Sequence, residues 1–133
     1  MEPEIIRGFL GRRNVIAVVG VNRNPEKYGY QVYMDLKEAG YKVYPINPNV
    51  KEVLGDKCYP DLRSLPEKPD VVNLVVPPKV SEEVVKTCKE IGVTKVWMQP
   101  GSESGEAVRF CHESGIEVIH GVCIMIQHRK KDI

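Results

Sequence analysis

The chain has 133 residues, with 19 basic and 18 acidic side chains and a formal net charge of +1. This length suits one domain that buries roughly two-thirds of the surface of the unfolded chain, so residues 1–133 are expected to form a single domain. The balanced charge predicts neither nucleic-acid binding nor attraction to an anionic membrane surface. No apolar run approaches the roughly 20 residues of a membrane span, and the N-terminal segment lacks a basic signal region. We therefore expect a soluble, cytoplasmic protein.

The four cysteines, Cys58, Cys88, Cys111 and Cys123, include no C-x-x-C pair. This spacing disfavours a redox dithiol or a zinc ribbon. Isolated thiols are therefore a simpler interpretation than a metal site. The pattern leaves open whether any of them forms a disulfide.

The first predicted strand, Asn14–Gly20, leads into a loop that carries two cations. Its centre, Val15–Val19, is an unbroken apolar run rich in β-branched side chains, which is typical of a buried parallel strand. Where a helix follows such a strand, the free N–H groups at its start can bind an anion. Because Arg23 and Lys27 lie in the same loop, the segment predicts a site for nucleotide phosphates.

Glycines mark the ends of three predicted helices, at Gly40, Gly92 and Gly115. Each follows an acid and one further residue, and each precedes a β-rich run, which is typical of a left-handed helix C-terminus. Ser81 and Ser102 are candidate N-caps. The predicted helices are Gly29–Ala39, Ser81–Ile91 and about Glu103–Ser114. The predicted strands are Asn14–Gly20, Lys42–Asn47, Val71–Val76, Lys95–Gln99 and Glu117–His120.

This alternation of strands and amphipathic helices predicts an α/β fold with an open parallel five-stranded sheet and helices on both faces. We expect the strand order 3-2-1-4-5, with a ligand at the carboxyl ends between strands one and four. The segment 50–68 is expected to hold one short turn of helix, and the charged segment Gln127–Ile133 to be a solvated tail.

Four loops should meet at that carboxyl edge: Gly20–Lys27, Pro45–Asn49, Val76–Val80 and Met98–Ser102. They are rich in amide side chains and prolines, which offer hydrogen bonds and rigid apolar walls. Such a combination suits a nucleotide with a flat base and a polar linker.

A dinucleotide cofactor fits these loops less well. The G-x-G-x-x-G fingerprint started at Gly20 would need glycines where Asn22 and Pro25 stand. The end of the second strand also lacks the acid that binds the ribose of NAD. An NAD(P)-dependent oxidoreductase with a degenerate fingerprint remains an alternative.

Three motifs, VGVNRNPEKYG, YPINP and WMQPG, together resemble the stand-alone coenzyme A-binding domain proteins. These are similar to the N-terminal CoA-binding domain of the succinyl-CoA synthetase alpha subunit. The resemblance covers about Arg13 to Met125 and implies a Rossmann-like sheet that binds CoA. It implies that the Gly20 to Arg23 loop surrounds the phosphates. It further implies that Asn47, Pro77 and the Met98 to Gln99 strand end contact the adenosine and the pantetheine arm.

Loop composition and resemblance together give one set of candidate cofactor-binding residues. They are Gly20, Val21, Asn22, Arg23, Lys27, Pro45, Asn47, Pro77, Pro78, Val80, Met98 and Gln99.

The resemblance does not imply an enzyme, because the synthetases use a phosphorylated histidine and a nucleotide-grasping subunit from other domains. No histidine here has a partner visible in the sequence, so no catalytic residue and no metal ligand is assigned. The leading hypothesis is a carrier, sensor or subunit that holds CoA or an acyl-CoA, either as a homodimer or with an unidentified protein partner. A thiol-exchange enzyme that uses Cys123 is a further alternative.

Overall fold

The computed structural model describes residues 3–131. Its strands are β1 (Val15–Val19), β2 (Lys42–Ile46), β3 (Glu52–Val53), β4 (Asp56–Lys57), β5 (Val71–Leu74), β6 (Lys95–Met98) and β7 (Glu117–His120). Its α-helices are α1 (Pro3–Phe9), α2 (Tyr28–Glu38), α3 (Pro78–Ile91), α4 (Gly105–Glu113) and α5 (Ile124–Lys131). A short 3₁₀ turn covers Leu62–Ser64.

Five parallel strands form the main sheet in the order β2-β1-β5-β6-β7. Side chains alternate across β1: Ile16 and Val18 pack with α1, α2 and α5, whereas Ala17 and Val19 pack with α3 and α4. Both faces of the sheet are thus covered by helices, as an all-parallel sheet requires. The Rossmann-like α/β class predicted from the sequence is confirmed.

The predicted strand order, 3-2-1-4-5, is wrong. The third strand of the main sheet, β5, lies between β1 and β6, so the order of the five strands is 2-1-3-4-5. All four residues of β5 are buried, which suits a central position. On the outer edge of β2, Pro45 has no N–H to donate. Tyr59 pairs at this edge, with its N–H 2.9 Å from the Pro45 carbonyl oxygen. Proline at this place suits an edge strand. The switch point therefore lies between β1 and β5.

Both predicted helix N-caps are also wrong. The helix α3 begins at Pro78, a residue type suited to the first turn because it lacks an N–H, and Ser81 is buried inside that helix. The cap of α4 is Ser104, whose hydroxyl accepts a hydrogen bond from the Ala107 N–H at 3.0 Å.

Two segments carry more structure than predicted. The 3₁₀ turn confirms the helical turn expected in 50–68, but the antiparallel β3–β4 hairpin that precedes it was not predicted. The predicted solvated tail, Gln127–Ile133, belongs to α5 up to Lys131, and its last two residues lie outside the described residues. His128 anchors this helix because its side chain is buried against Asp35 of α2.

Candidate functional site

The loops that follow β1 and β2 are joined at the carboxyl edge of the sheet. The backbone N–H groups of Gly20 and Val21 lie 2.9 and 3.3 Å from the Ile46 carbonyl oxygen. The Asn47 side-chain amide donates to the Val21 carbonyl oxygen at 2.7 Å. Asn47 therefore fixes the distance between two loops that the sequence places at the site.

Two glycines allow α2 to start directly against the end of β1. Gly20 has φ +102° and lies so near β5 that a Cβ would be 2.1 Å from the Val75 carbonyl oxygen. A Cβ on Gly29 would be 2.1 Å from the Gly20 carbonyl oxygen. No side chain at Lys27 caps this helix, so its positive N-terminal end faces the loop.

Asparagines shape the loop between these glycines. The Asn22 side-chain oxygen accepts a hydrogen bond from the Asn24 N–H at 2.8 Å, and the Asn24 side-chain oxygen accepts one from the Glu26 N–H at 3.0 Å. These two consecutive Asx turns shape the loop without the second and third glycines of a dinucleotide fingerprint. Arg23 and Lys27 are exposed, so their charged groups can approach a ligand without losing a structural partner.

A serine connects the loops that follow β5 and β6. The Ser102 hydroxyl accepts a hydrogen bond from the Val76 N–H at 3.0 Å. The Ser102 backbone carbonyl oxygen accepts one from the Ser81 hydroxyl at 2.7 Å. Pro77 and Pro78 are exposed at the start of α3 beside this junction. The four predicted loops therefore do meet along one edge.

An apolar cleft of about 210 Å³ opens at this edge between the end of β2 and the first turns of α3. Ligand pockets commonly measure roughly 300–1,000 Å³, so the cleft suits one moiety, such as a planar base. Val80 was predicted as a site residue, whereas Pro60, Asp61 and Leu62 were not, because the segment 50–68 was interpreted only as a connection. The lining residues are Val19, Ile46, Pro48, Pro60, Asp61, Leu62, Val80, Val84 and Thr87.

Gln99 organises a partly buried polar network of Tyr28, Asn73, Gln99 and Cys123, which we call the Cys123 cluster. The Gln99 side-chain nitrogen lies 2.5 Å from the Tyr28 hydroxyl and 3.3 Å from the Cys123 sulfur. The Gln99 side-chain oxygen accepts from the Asn73 amide at 3.2 Å and from the Ile124 N–H at 3.0 Å. The Tyr28 hydroxyl donates to the sulfur at 3.0 Å. Burial and the neighbouring thiol raise the pKa of Tyr28 well above its ordinary range, so this phenol remains a donor.

Four predicted site residues are buried, namely Val21, Pro45, Met98 and Gln99. Val21 packs in the core on the α2 face, Met98 packs in the core on the α3 face, and Pro45 is buried in β2. Val21 and Met98 are fully buried, backbone included, so neither is open to a ligand in this structure. That any of the predicted residues contacts a ligand stays a prediction.

A second, shallower groove of about 380 Å³ lies beside the ends of β7 and α4 and includes His112, His120 and Arg109. In the part of the chain that the structure describes, no group of three or more His, Cys, Asp or Glu side chains is placed to hold a metal ion. Within residues 3–131, no helix combines the length and the apolar character needed to cross a membrane.

A family model described as a CoA binding domain matches residues 14–129. The chain belongs to the CoA-binding domain family. This match covers all the loops of the carboxyl edge and also Cys123. The resemblance noted from the three sequence motifs is thereby confirmed.

Relatives within this family include both ligase subunits and stand-alone proteins. The chain is 34% identical over 124 residues to subunit alpha of an ADP-forming acetate–CoA ligase II from Pyrococcus furiosus, which covers 85% of this chain and 27% of that subunit. It is 32% identical over 127 residues to the uncharacterized protein YneT of Bacillus subtilis, which covers 92% of this chain and 91% of that protein. Among solved structures, a hypothetical protein from Pyrococcus horikoshii OT3 has a TM-score of 0.94 at 38% identity and covers 100% of this chain and 94% of that one. The chain thus spans about a quarter of the ligase subunit and nearly all of YneT.

Proposed function

We propose that residues 1–133 form one unit that binds CoA or an acyl-CoA at the carboxyl edge of the sheet. It would act as a carrier, a sensor or a subunit of a larger assembly, without chemical turnover of its own. The observation that carries this proposal is the contact of Gly29 with Gly20, which places the start of α2 against the end of β1. Backbone N–H groups at a helix start favour phosphate oxygens.

The remaining features of the edge suit the other parts of CoA. Arg23 and Lys27 supply exposed cations for its phosphates, and the apolar cleft beside Val80 has room for its adenine base. Pro77 offers an exposed apolar wall for the pantetheine arm, and the buried Gln99 side chain holds Tyr28 and Cys123 in place at the end of β6. When bound, CoA would supply the thiol that carries an acyl group, whereas the protein residues hold and orient the cofactor.

A nicotinamide cofactor receives less support from the same geometry. The side chain at the end of β2 is Asn47, an amide already bonded to the Val21 carbonyl oxygen, where NAD binding favours a carboxylate. Asn22 and Asn24 fill the loop with Asx turns instead of glycines that would let a pyrophosphate approach the backbone.

Calorimetric titration of the full chain with CoA, NAD and NADP tests the proposal. We expect a saturable heat with CoA under reducing conditions and none with either nicotinamide cofactor. Binding of NAD or NADP in the absence of CoA binding would overturn the proposal in favour of an oxidoreductase. The acetate–CoA ligase II relative is a subunit by name, so native mass spectrometry of the same sample would report whether this chain assembles with copies of itself.

A further inference from the structure

Cys123 differs from the other three cysteines of the chain in its exposure. Cys58, Cys88 and Cys111 are buried, whereas Cys123 is partly exposed, and all four are free thiols. Burial raises the pKa of Cys88 to about 12 and that of Cys111 to about 11, and it also raises the pKa of Cys58. The thiolate is the reacting form of cysteine, so these three thiols are poorly suited to exchange.

The polar groups around Cys123 point to a ligand as well as to a reactive sulfur. Asn73 is fully buried, and its side-chain nitrogen donates a hydrogen bond to the Gln99 side-chain oxygen at 3.2 Å. The Asn73 side-chain oxygen is buried and has no hydrogen-bond partner within residues 3–131. Since buried polar atoms are nearly always paired, this oxygen has acceptor capacity that residues 3–131 do not use, and it suits a donor such as an amide of a pantetheine arm.

The cluster is continuous with the proposed CoA site. Tyr28 directly follows Lys27 of the loop proposed to bind the CoA phosphates, and Gln99 lies at the strand end that the family resemblance places near the pantetheine arm. The same Gln99 nitrogen reaches both the Tyr28 hydroxyl and the Cys123 sulfur. A thiol-bearing ligand held along this edge therefore meets one partly exposed protein thiol.

We infer that Cys123 captures CoA covalently, as a mixed disulfide formed by exchange with CoA disulfide. This inference rests on the proposed CoA binding. The Cys123 thiolate attacks one sulfur of CoA disulfide, the disulfide bond of the reagent breaks, and a bond forms between Sγ and one CoA sulfur. The second CoA leaves as a thiolate and takes up the proton that Cys123 released. CoA disulfide is the oxidant, and a reducing thiol reverses the step.

Intact mass spectrometry and peptide mapping of the freshly reduced full chain test this step. After incubation with CoA disulfide, we expect one added CoA group, located on Cys123 and removed by dithiothreitol. Capture should be at least about tenfold faster than with glutathione disulfide, since a bound reagent reacts at a raised effective concentration. Equal rates for the two disulfides, or modification of the buried cysteines in place of Cys123, would overturn the inference.

Matched variants separate the role of the cluster from a general effect on folding. Cys123→Ser should give no adduct, and peptide mapping of the wild type locates the adduct even where that variant is unstable. Tyr28→Phe should slow capture about two- to tenfold, the rate equivalent of one neutral hydrogen bond, because the sulfur loses an orienting donor. Tyr33→Phe, the same change on the same helix but bonded to Asp56, should leave the rate unchanged. Equal rates in the two tyrosine variants would contradict the role given to Tyr28.

Calorimetry with reduced CoA on the same preparation distinguishes two kinds of failure. CoA binding without capture on Cys123 overturns the covalent step and leaves the proposed function standing. Absence of CoA binding overturns both.

Discussion

The Cα of Gly29 lies so close to Gly20 that a Cβ on it would be 2.1 Å from the Gly20 carbonyl oxygen. This contact joins the first turn of α2 to the end of β1. It also sets where the helix N-terminus lies relative to Arg23 and Lys27. One pair of residues thus links the local packing of the fold to the proposed phosphate site.

Gly29→Ala should destabilise the fold and weaken CoA binding. The added methyl group must displace backbone, at a cost of about 1–3 kcal/mol as in other overpacked sites. Urea unfolding measures the stability change. Gly105→Ala is the matched control, because Gly105 also lies in the first turn of a helix but has open space where a Cβ would lie. A Gly29→Ala variant as stable as this control would show that the contact is not restrictive.

Arg23→Ala should weaken CoA binding by about 1.5–3 kcal/mol, the range for a hydrogen bond to a charged group. The variant would lose the guanidinium group that is proposed to bind a CoA phosphate, since Arg23 is exposed in the loop beside the start of α2. Calorimetric titration at one fixed salt concentration measures the loss. Arg13→Ala removes another exposed arginine, near the opposite end of β1, and should leave affinity unchanged. Equal affinities for the two variants would show that Arg23 is merely solvated.

Asp35→Ala should loosen α5 from α2. Asp35 lies 2.5 Å from the buried His128 ring nitrogen and also pairs with Arg129. Leaving His128 buried without its partner should cost about 1–3 kcal/mol. Hydrogen exchange should show faster exchange of the amides of Ile124–Lys131. Arg129→Ala removes only an exposed partner and should cost less than about 1 kcal/mol; a larger loss than with Asp35→Ala would contradict this assignment.

Asp56 should contribute stability that depends on pH. Hydrogen bonds from Lys37 and Tyr33 lower the pKa of Asp56, so its contribution is present above the unfolded value of about 3.9 and is lost as pH falls through the lower folded value. Because the pair is partly exposed, Asp56→Asn should cost only about 0.5–1 kcal/mol at neutral pH.

The measurement for Asp56 is urea unfolding of wild type and variant across acid and neutral pH. The difference between them should shrink as pH falls below about 4. Glu52→Gln, on the same hairpin, is the control and should show little difference at any pH. A constant difference for Asp56→Asn across pH would contradict the assigned ion pair.

Local patterns predicted the individual elements well. The apolar run Val15–Val19 is β1, and Gly40, Gly92 and Gly115 all have positive φ where a helix ends. These features depend on neighbours along the chain, so they are visible in the sequence. The prediction that four loops meet also held, because all strands of a parallel sheet end at the same edge.

Non-local pairing was the part that the sequence did not reveal. The position of β5 beside β1 depends on pairing between residues such as Ile16 and Val71, which no local pattern specifies. The contact of Tyr28 with Cys123 spans 95 positions, and the partner of His128 is Asp35, on a different helix. The charged residues around His128 predicted a solvated tail, so the burial of the His128 side chain was missed. Met98 matched a family motif, but its side chain packs in the core.

The most direct test of the central claim is an NMR titration of the ¹⁵N-labelled chain with CoA. We expect saturable shifts of amides along the carboxyl edge, including Gly20, Asn22, Asn47 and Gln99. We expect none at Asp70 and Thr94, which directly precede β5 and β6 at the opposite edge. Shifts confined to that opposite edge, or no shifts at all, would contradict CoA binding at this site.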